Sequence, residues 1–89
     1  MRKYKVSETF WKKFHALPNE QKELVREAWE KFKVDPFDPQ LGTHKIMNLS
    51  ARAREAVWSV VIDADLRVLC RFVDNEVHTL DMGTHKAYK

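Results

Sequence analysis

The tetrapeptide Gly-Thr-His-Lys occurs twice in this chain, at residues 42–45 and again at 83–86. Each copy sets an imidazole beside an ammonium group. Histidine exchanges protons near neutral pH, and lysine stabilises anionic charge. His44 with Lys45, and His85 with Lys86, therefore carry the chemistry of proton transfer at an anionic centre. Tyr88 follows shortly after His85 and could stack on a nucleobase or share in proton transfer. A surface histidine is also commonly just a solvated side chain. The sequences flanking the two copies differ, so the repeat is not a duplicated module. Its meaning depends on whether the fold brings the copies together.

A second constellation is Arg67 and Arg71 in the run LRVLCRFV, residues 66–73. If this run is a strand with Leu66, Val68, Cys70 and Phe72 toward the core, alternation puts both arginines on the other face, with Cα atoms about 13 Å apart. Two guanidinium groups there could clamp successive phosphates of one strand. Each could equally pair with a neighbouring acid: Asp63, Asp65 or Asp81. The basic residues are also unevenly spread. Residues 42–54 hold Lys45, Arg52 and Arg54 with no acid, and Lys86 and Lys89 follow Asp81 with none. That distribution says more about a polyanionic partner than the net charge of +3 does.

Other chemistries find little support. The single cysteine, Cys70, excludes an intramolecular disulfide and a multi-cysteine zinc site, and its predicted core position makes it packing rather than a nucleophile. The histidines lack the short fixed spacing of a metal motif, and no Gly-rich phosphate loop or GxSxG elbow is present. No metal or other cofactor is expected. His15, in a helical stretch, and His78, inside a strand, read as solvated side chains.

The elements that must position these groups follow from periodicity. Ser7 reads as an N-cap, with Phe10, Trp11, Phe14 and Leu17 forming an apolar stripe behind it. Pro18 ends that helix and suits the first turn of the next, whose stripe is Leu24, Val25, Ala28, Trp29 and Phe32. So short a link makes a helical hairpin. The prolines of DPFDP stop the second helix near Val34 and make residues 35–43 a loop. Beyond it the period changes to that of strands: 56–62, 66–73 and 76–81, with turns at Asp63-Ala64-Asp65 and Asp74-Asn75. Residues 2–6 are a candidate short strand or arm, and 45–49 a candidate additional strand. The expected fold is one α+β domain over residues 1–89, an N-terminal helical hairpin packed on one face of a small antiparallel meander. With 44% hydrophobic residues the chain can build a core, and it contains no apolar leader or membrane-length run, so a soluble cytoplasmic protein is expected.

Taken together, LPNEQKELVREAWEKFKVDPFDPQLGTHKI followed by VWSVVIDADLRVLCRFVDNEVHTLDMGTHKAY resembles the RelE/ParE superfamily of type II toxin–antitoxin toxins. The helical hairpin, the DPF…P.L..HK loop, the two arginines on a meander strand and the terminal GTH…Y carry the resemblance, which covers nearly the whole chain. It implies a ribosome-dependent, metal-independent endoribonuclease that cuts mRNA in the A site, with the message's own 2′-hydroxyl as nucleophile. On that resemblance His85, Arg71, His44 and Tyr88 are the catalytic candidates. Lys45, Arg67, Arg52, Arg54 and Lys86 are the RNA-binding ones. The partners implied are the ribosome, mRNA and an acidic antitoxin in a toxin–antitoxin hetero-oligomer. The superfamily also contains gyrase-inhibiting ParE-like members, and a toxin-like domain could persist as an inactive interaction module.

Overall fold

The structure, a computed structural model, describes residues 3–46 and 56–84. Its elements run β1 (Lys3–Val6), α1 (Glu8–His15), α2 (Asn19–Val34), a 3₁₀ turn (Pro39–Leu41), β2 (His44–Lys45), β3 (Trp58–Val61), β4 (Leu66–Val73) and β5 (Glu76–Thr84). Helix α1 starts where expected because the Ser7 hydroxyl accepts the Phe10 N–H at 3.1 Å, satisfying one of the amides that a helix start leaves unpaired. Helix α2 ends at Val34, ahead of Pro36. Both helices turn their apolar stripes the same way. Phe10, Phe14, Val25 and Phe32 are buried against Val60, Leu66, Val68, Cys70, Val77 and Met82 of the sheet.

The sheet has the order β1-β5-β4-β3-β2. The expected meander β3-β4-β5 is its centre, and the two arms complete it. β2 pairs antiparallel with β3 through His44 opposite Ser59. β1 pairs with β5 in parallel, Lys3 to Val6 beside Glu76 to Thr79. The sheet is therefore mixed, where a purely antiparallel meander was expected. The reason is the crossover: the chain leaves β1 through the helical hairpin and loops back, and so long an excursion permits a parallel return. Strand β5 also runs on to Thr84, beyond the expected end at Asp81, because Met82 pairs with Val68, Gly83 with Arg67 and Thr84 with Leu66.

One irregularity shapes the edge. Leu69 pairs with Asp81 but Cys70 pairs with Thr79, so Leu80 is an extra residue in β5. The Leu80 carbonyl accepts the Ser7 hydroxyl at 2.7 Å, and just beyond it Lys13 of α1 reaches the Asp81 carboxylate at 2.7 Å and the Met82 carbonyl at 3.1 Å. The bulge thus seats the start of the helical hairpin on the sheet edge where β1 stops. Among the described residues no helix is long and apolar enough to cross a membrane.

Candidate active site

Antiparallel partners share a face, so the registers define what each surface carries. Val60, Val68, Cys70 and Val77 face the helices. The opposite face carries Ile46 beside β2, Val57 just before β3 and Ser59 in it, Arg67, Leu69 and Arg71 in β4, Glu76, His78 and, past the bulge, Asp81 in β5, and Lys5 in β1. Its middle is not simply open. Ile46, Val57 and Leu69 are buried in a second apolar cluster with Leu80 beside it. Around that patch stand the polar and basic side chains.

His44 is delivered to this face by a loop that is locked through its own side chains. The Asp35 carboxylate accepts the Phe37 N–H at 3.0 Å, and the Asp38 carboxylate accepts the Gln40 N–H at 2.9 Å, the turn-forming habit of aspartate. Phe37 lies against Trp58 and Phe72, with ring centroids 5.3 and 5.5 Å away. Leu41 is buried in the core, and the Thr43 hydroxyl donates to the Pro36 carbonyl at 2.6 Å. Gly42 closes the turn with φ +55°, and a Cβ there would stand 2.9 Å from Val61 Cγ2. His44 itself is exposed, with Nδ1 2.8 Å from the Gly42 carbonyl oxygen. A carbonyl can only accept, so Nδ1 carries the hydrogen and Nε2 of the neutral ring keeps its lone pair, the form required of a proton acceptor.

The two copies of Gly-Thr-His-Lys are related by this sheet, though not as equals. Gly42 abuts Val61, Val61 pairs with Arg67, and Arg67 pairs with Gly83. Both glycines thus flank one cross-strand row, with β3 and β4 between them. The strands that hold their described parts, β2 and β5, are antiparallel, so residues 43–44 and 83–84 run in opposite directions. The backbone conformations differ as well: Gly42 is left-handed in a turn, whereas Gly83 belongs to a strand. His85, Lys86 and Tyr88 of the second copy, and Arg52 and Arg54, lie outside the described residues.

The arginines take the face expected of them, and their partners are now specific. Arg67 Nη1 donates to the main-chain oxygen of Asp63 and, at 3.2 Å, to that of Leu66. The Asp63 carboxylate is occupied by the turn: Oδ1 accepts the N–H groups of Leu66 at 2.7 Å and Asp65 at 2.9 Å, and Oδ2 accepts from Gln21 at 3.2 Å. The Leu66 and Asp65 amides hold Asp63 below the usual carboxylate range. Arg71 Nε donates to His78 Nδ1 at 3.3 Å, and His78 Nε2 stands 3.2 Å from Glu76 Oε1. Glu76 Oε2 in turn meets Lys5 Nζ at 3.3 Å. The His78 bond, then Lys5, keep the Glu76 carboxyl low.

Lys45 departs from its neighbours. It pairs with Trp58, which packs on the core, so it starts from the helix side of the β2 edge rather than the face that holds His44. Cys70 is buried as expected, and burial pushes its thiol up to about 12. His78 was expected to be merely solvated; instead it is the link between Arg71 and Glu76. The signal was available. A two-residue turn at Asp74-Asn75 sets Val73 opposite Glu76 and hence Arg71 opposite His78. Among the described residues no group of three His, Cys, Asp or Glu side chains could hold a metal ion.

The fold of this chain, a helical hairpin over a five-stranded mixed sheet, matches solved structures of RelE and YoeB/ParE toxins, and the resemblance read from the sequence holds at the level of the fold. Sequence comparison matches the chain to no protein family and to no curated protein. Similar solved structures include the archaeal RelE–RelB complex from Pyrococcus horikoshii OT3, with TM-score 0.73 at 14% identity over 93% of each chain. A YoeB/ParE toxin from Agrobacterium tumefaciens gives 0.70 at 15%, covering 93% of this chain and 98% of that one. A copper-bound mutant toxin from Helicobacter pylori gives 0.67 at 20% over the full length of both.

Proposed function

We propose that this protein is the toxin of a type II toxin–antitoxin system and acts as a ribosome-dependent, metal-independent endoribonuclease on mRNA in the A site. One observation carries the reading: His44, Arg67 and Arg71 share the sheet face opposite the helices. His44 stands in the row of Ser59 and Leu69, and the two arginines flank Leu69 by two residues on either side. Two strand spacings and two residue rises put each arginine Cα about 12 Å from that of His44. Arginine and histidine side chains can span that gap around one phosphodiester.

Cleavage needs a base for the 2′-hydroxyl, cationic support for the phosphate as charge grows on it, and an acid for the departing 5′-oxygen. The message supplies its own nucleophile, so no metal-activated water is needed. His44 Nε2 suits the first role, and Arg71, with Arg67 beside it, the second. His85, with Tyr88 near it, is assigned the complementary proton transfer on the family resemblance, and Arg52, Arg54, Lys45 and Lys86 are assigned contacts to RNA.

The partner proposed is an acidic antitoxin, in keeping with the basic face and with the RelE–RelB pairing of the Pyrococcus structure. An apolar cleft of about 250 Å³ between α1, α2 and the sheet, with Trp11 among its lining, offers such a chain an anchor.

The test is induced expression of the wild type beside Arg71→Ala, His44→Ala and His85→Ala, followed by mapping of mRNA ends. The expected result is growth arrest with messages cut at A-site codons, lost or reduced at least about tenfold in the variants. Intact messages with damaged DNA would instead identify a gyrase poison, and normal growth an inactive module. Variants that cut as the wild type does would remove those side chains from the site.

A further inference from the structure

The chain Lys5–Glu76–His78–Arg71 crosses three adjacent strands on the basic face, and its hydrogen-bond polarity is determined throughout. Arginine Nε can only donate, so the His78 Nδ1 that meets it must carry a lone pair. The neutral ring then has its hydrogen on Nε2, and Nε2 donates to Glu76 Oε1. Glu76 is fixed in turn by Lys5 at 3.3 Å. The His78 side chain is only 20% exposed, so ring rotation is restricted. Each bond agrees with the next, from the Lys5 ammonium to the Nε edge of the Arg71 guanidinium.

From this geometry we propose that His78 is a positioning residue for Arg71: as the neutral ring, oriented by Glu76, it holds Arg71 Nε and so presents the guanidinium to an RNA phosphate. The role rests on the RNA-cutting reading above. It follows that the arrangement is acid-sensitive. A second proton on His78 would occupy Nδ1, replace the acceptor by a donor, and set a cation against Arg71. Among the described residues, the charged groups facing His78 are Arg71 from β4, Lys5 from β1 and Glu76 from its own strand. Two of the three are cations, and the Glu76 carboxylate is shared between His78 and Lys5.

Simple electrostatics predicts the reverse trend, since a protonated His78 adds positive charge to an RNA-binding face. The experiment therefore measures how much binding depends on Arg71, rather than binding alone. Affinity for a 2′-O-methyl single-stranded RNA, which cannot be cleaved through its 2′-oxygen, is compared for wild type and Arg71→Ala at pH 8 and pH 5.5. The same pair is then measured in His78→Leu and His78→Gln backgrounds. The expected Arg71 effect is about tenfold at pH 8 in the wild type, shrinking toward unity at pH 5.5. In His78→Leu it is small at both pH values. In His78→Gln, whose amide oxygen still accepts, it is retained and insensitive to pH.

Two-dimensional ¹⁵N NMR of the histidine rings supplies a reading free of RNA: His78 Nδ1 should be unprotonated at pH 8. A protonated Nδ1, or an Arg71 effect equal at both pH values and undiminished in His78→Leu, overturns the role of His78 while leaving the nuclease reading standing. Wild-type protein that does not bind the RNA overturns both, whatever the tautomer.

Discussion

At the scale of single residues, the described site is held together by atoms whose hydrogen-bonding roles admit one assignment. His44 is locked by a carbonyl, His78 by an arginine, and Asp63 by two main-chain amides. Asp63 makes a prediction about acid. Its carboxyl titrates lower in the folded protein than in the unfolded chain, so its stabilisation is complete above the unfolded value of about 3.9 and fades as pH falls through the lowered folded value. Asp63→Asn, which keeps the acceptor oxygen and removes the charge, should flatten the loss of stability below about pH 4 in urea titrations. Asp63→Ala, which strands both amides, should cost about 1–3 kcal/mol at neutral pH. Cys70 makes a different prediction. With its thiol pushed up to about 12 and buried beneath the helices, it should resist alkylation in the native protein at pH 8 and react readily in denaturant. Fast native labelling would place it elsewhere.

At the scale of elements, each connection that aims a functional side chain has its own device. Ser7 both caps α1 and ties its start to the bulge in β5. Ser7→Ala should therefore cost about 1–2 kcal/mol by chemical denaturation, toward the upper end for an N-cap because two hydrogen bonds are lost. Gly42 is needed for the left-handed turn before β2 and for the close approach of Val61. Gly42→Ala should destabilise by at least about 1–2 kcal/mol and, by disturbing the loop that carries His44, lower the proposed RNA cleavage as well. Gly83, with strand geometry, needs no left-handed backbone and should escape that part of the cost; equal costs at the two glycines would contradict the difference between the copies. The periodicity that predicts α1, α2, β3 and β4 works because each buries one continuous stripe. It says little about β1 and β2, which are short and lie at sheet edges. β1 turns only Tyr4 and Val6 toward the core and β2 has only two residues, too short a pattern to specify a pairing partner.

At the scale of the whole molecule, the helices and the opposite sheet face divide the work. The helical side closes the core and presents mixed charge. The opposite face gathers Lys5, Arg67 and Arg71 around a buried apolar patch, with Glu76 held between Lys5 and His78. On the proposed function, RNA binding there should weaken steeply with salt, and Arg71→Ala should reduce the slope of log affinity against log salt by about 0.7, the share of one phosphate contact on a single strand. An unchanged slope would mean that Arg71 faces no phosphate. From the chain alone, the residue types, the helical hairpin, the meander and the face taken by the two arginines could be derived, because side-chain alternation and helical periodicity are local properties of the backbone. Only the tertiary structure decided that β1 joins in parallel, that His44 and not Lys45 shares the arginine face, that Arg67 is satisfied by a turn carbonyl, and that His78 is bound to Arg71 and Glu76. Those outcomes depend on register and on a one-residue bulge, which are decided by how distant segments meet.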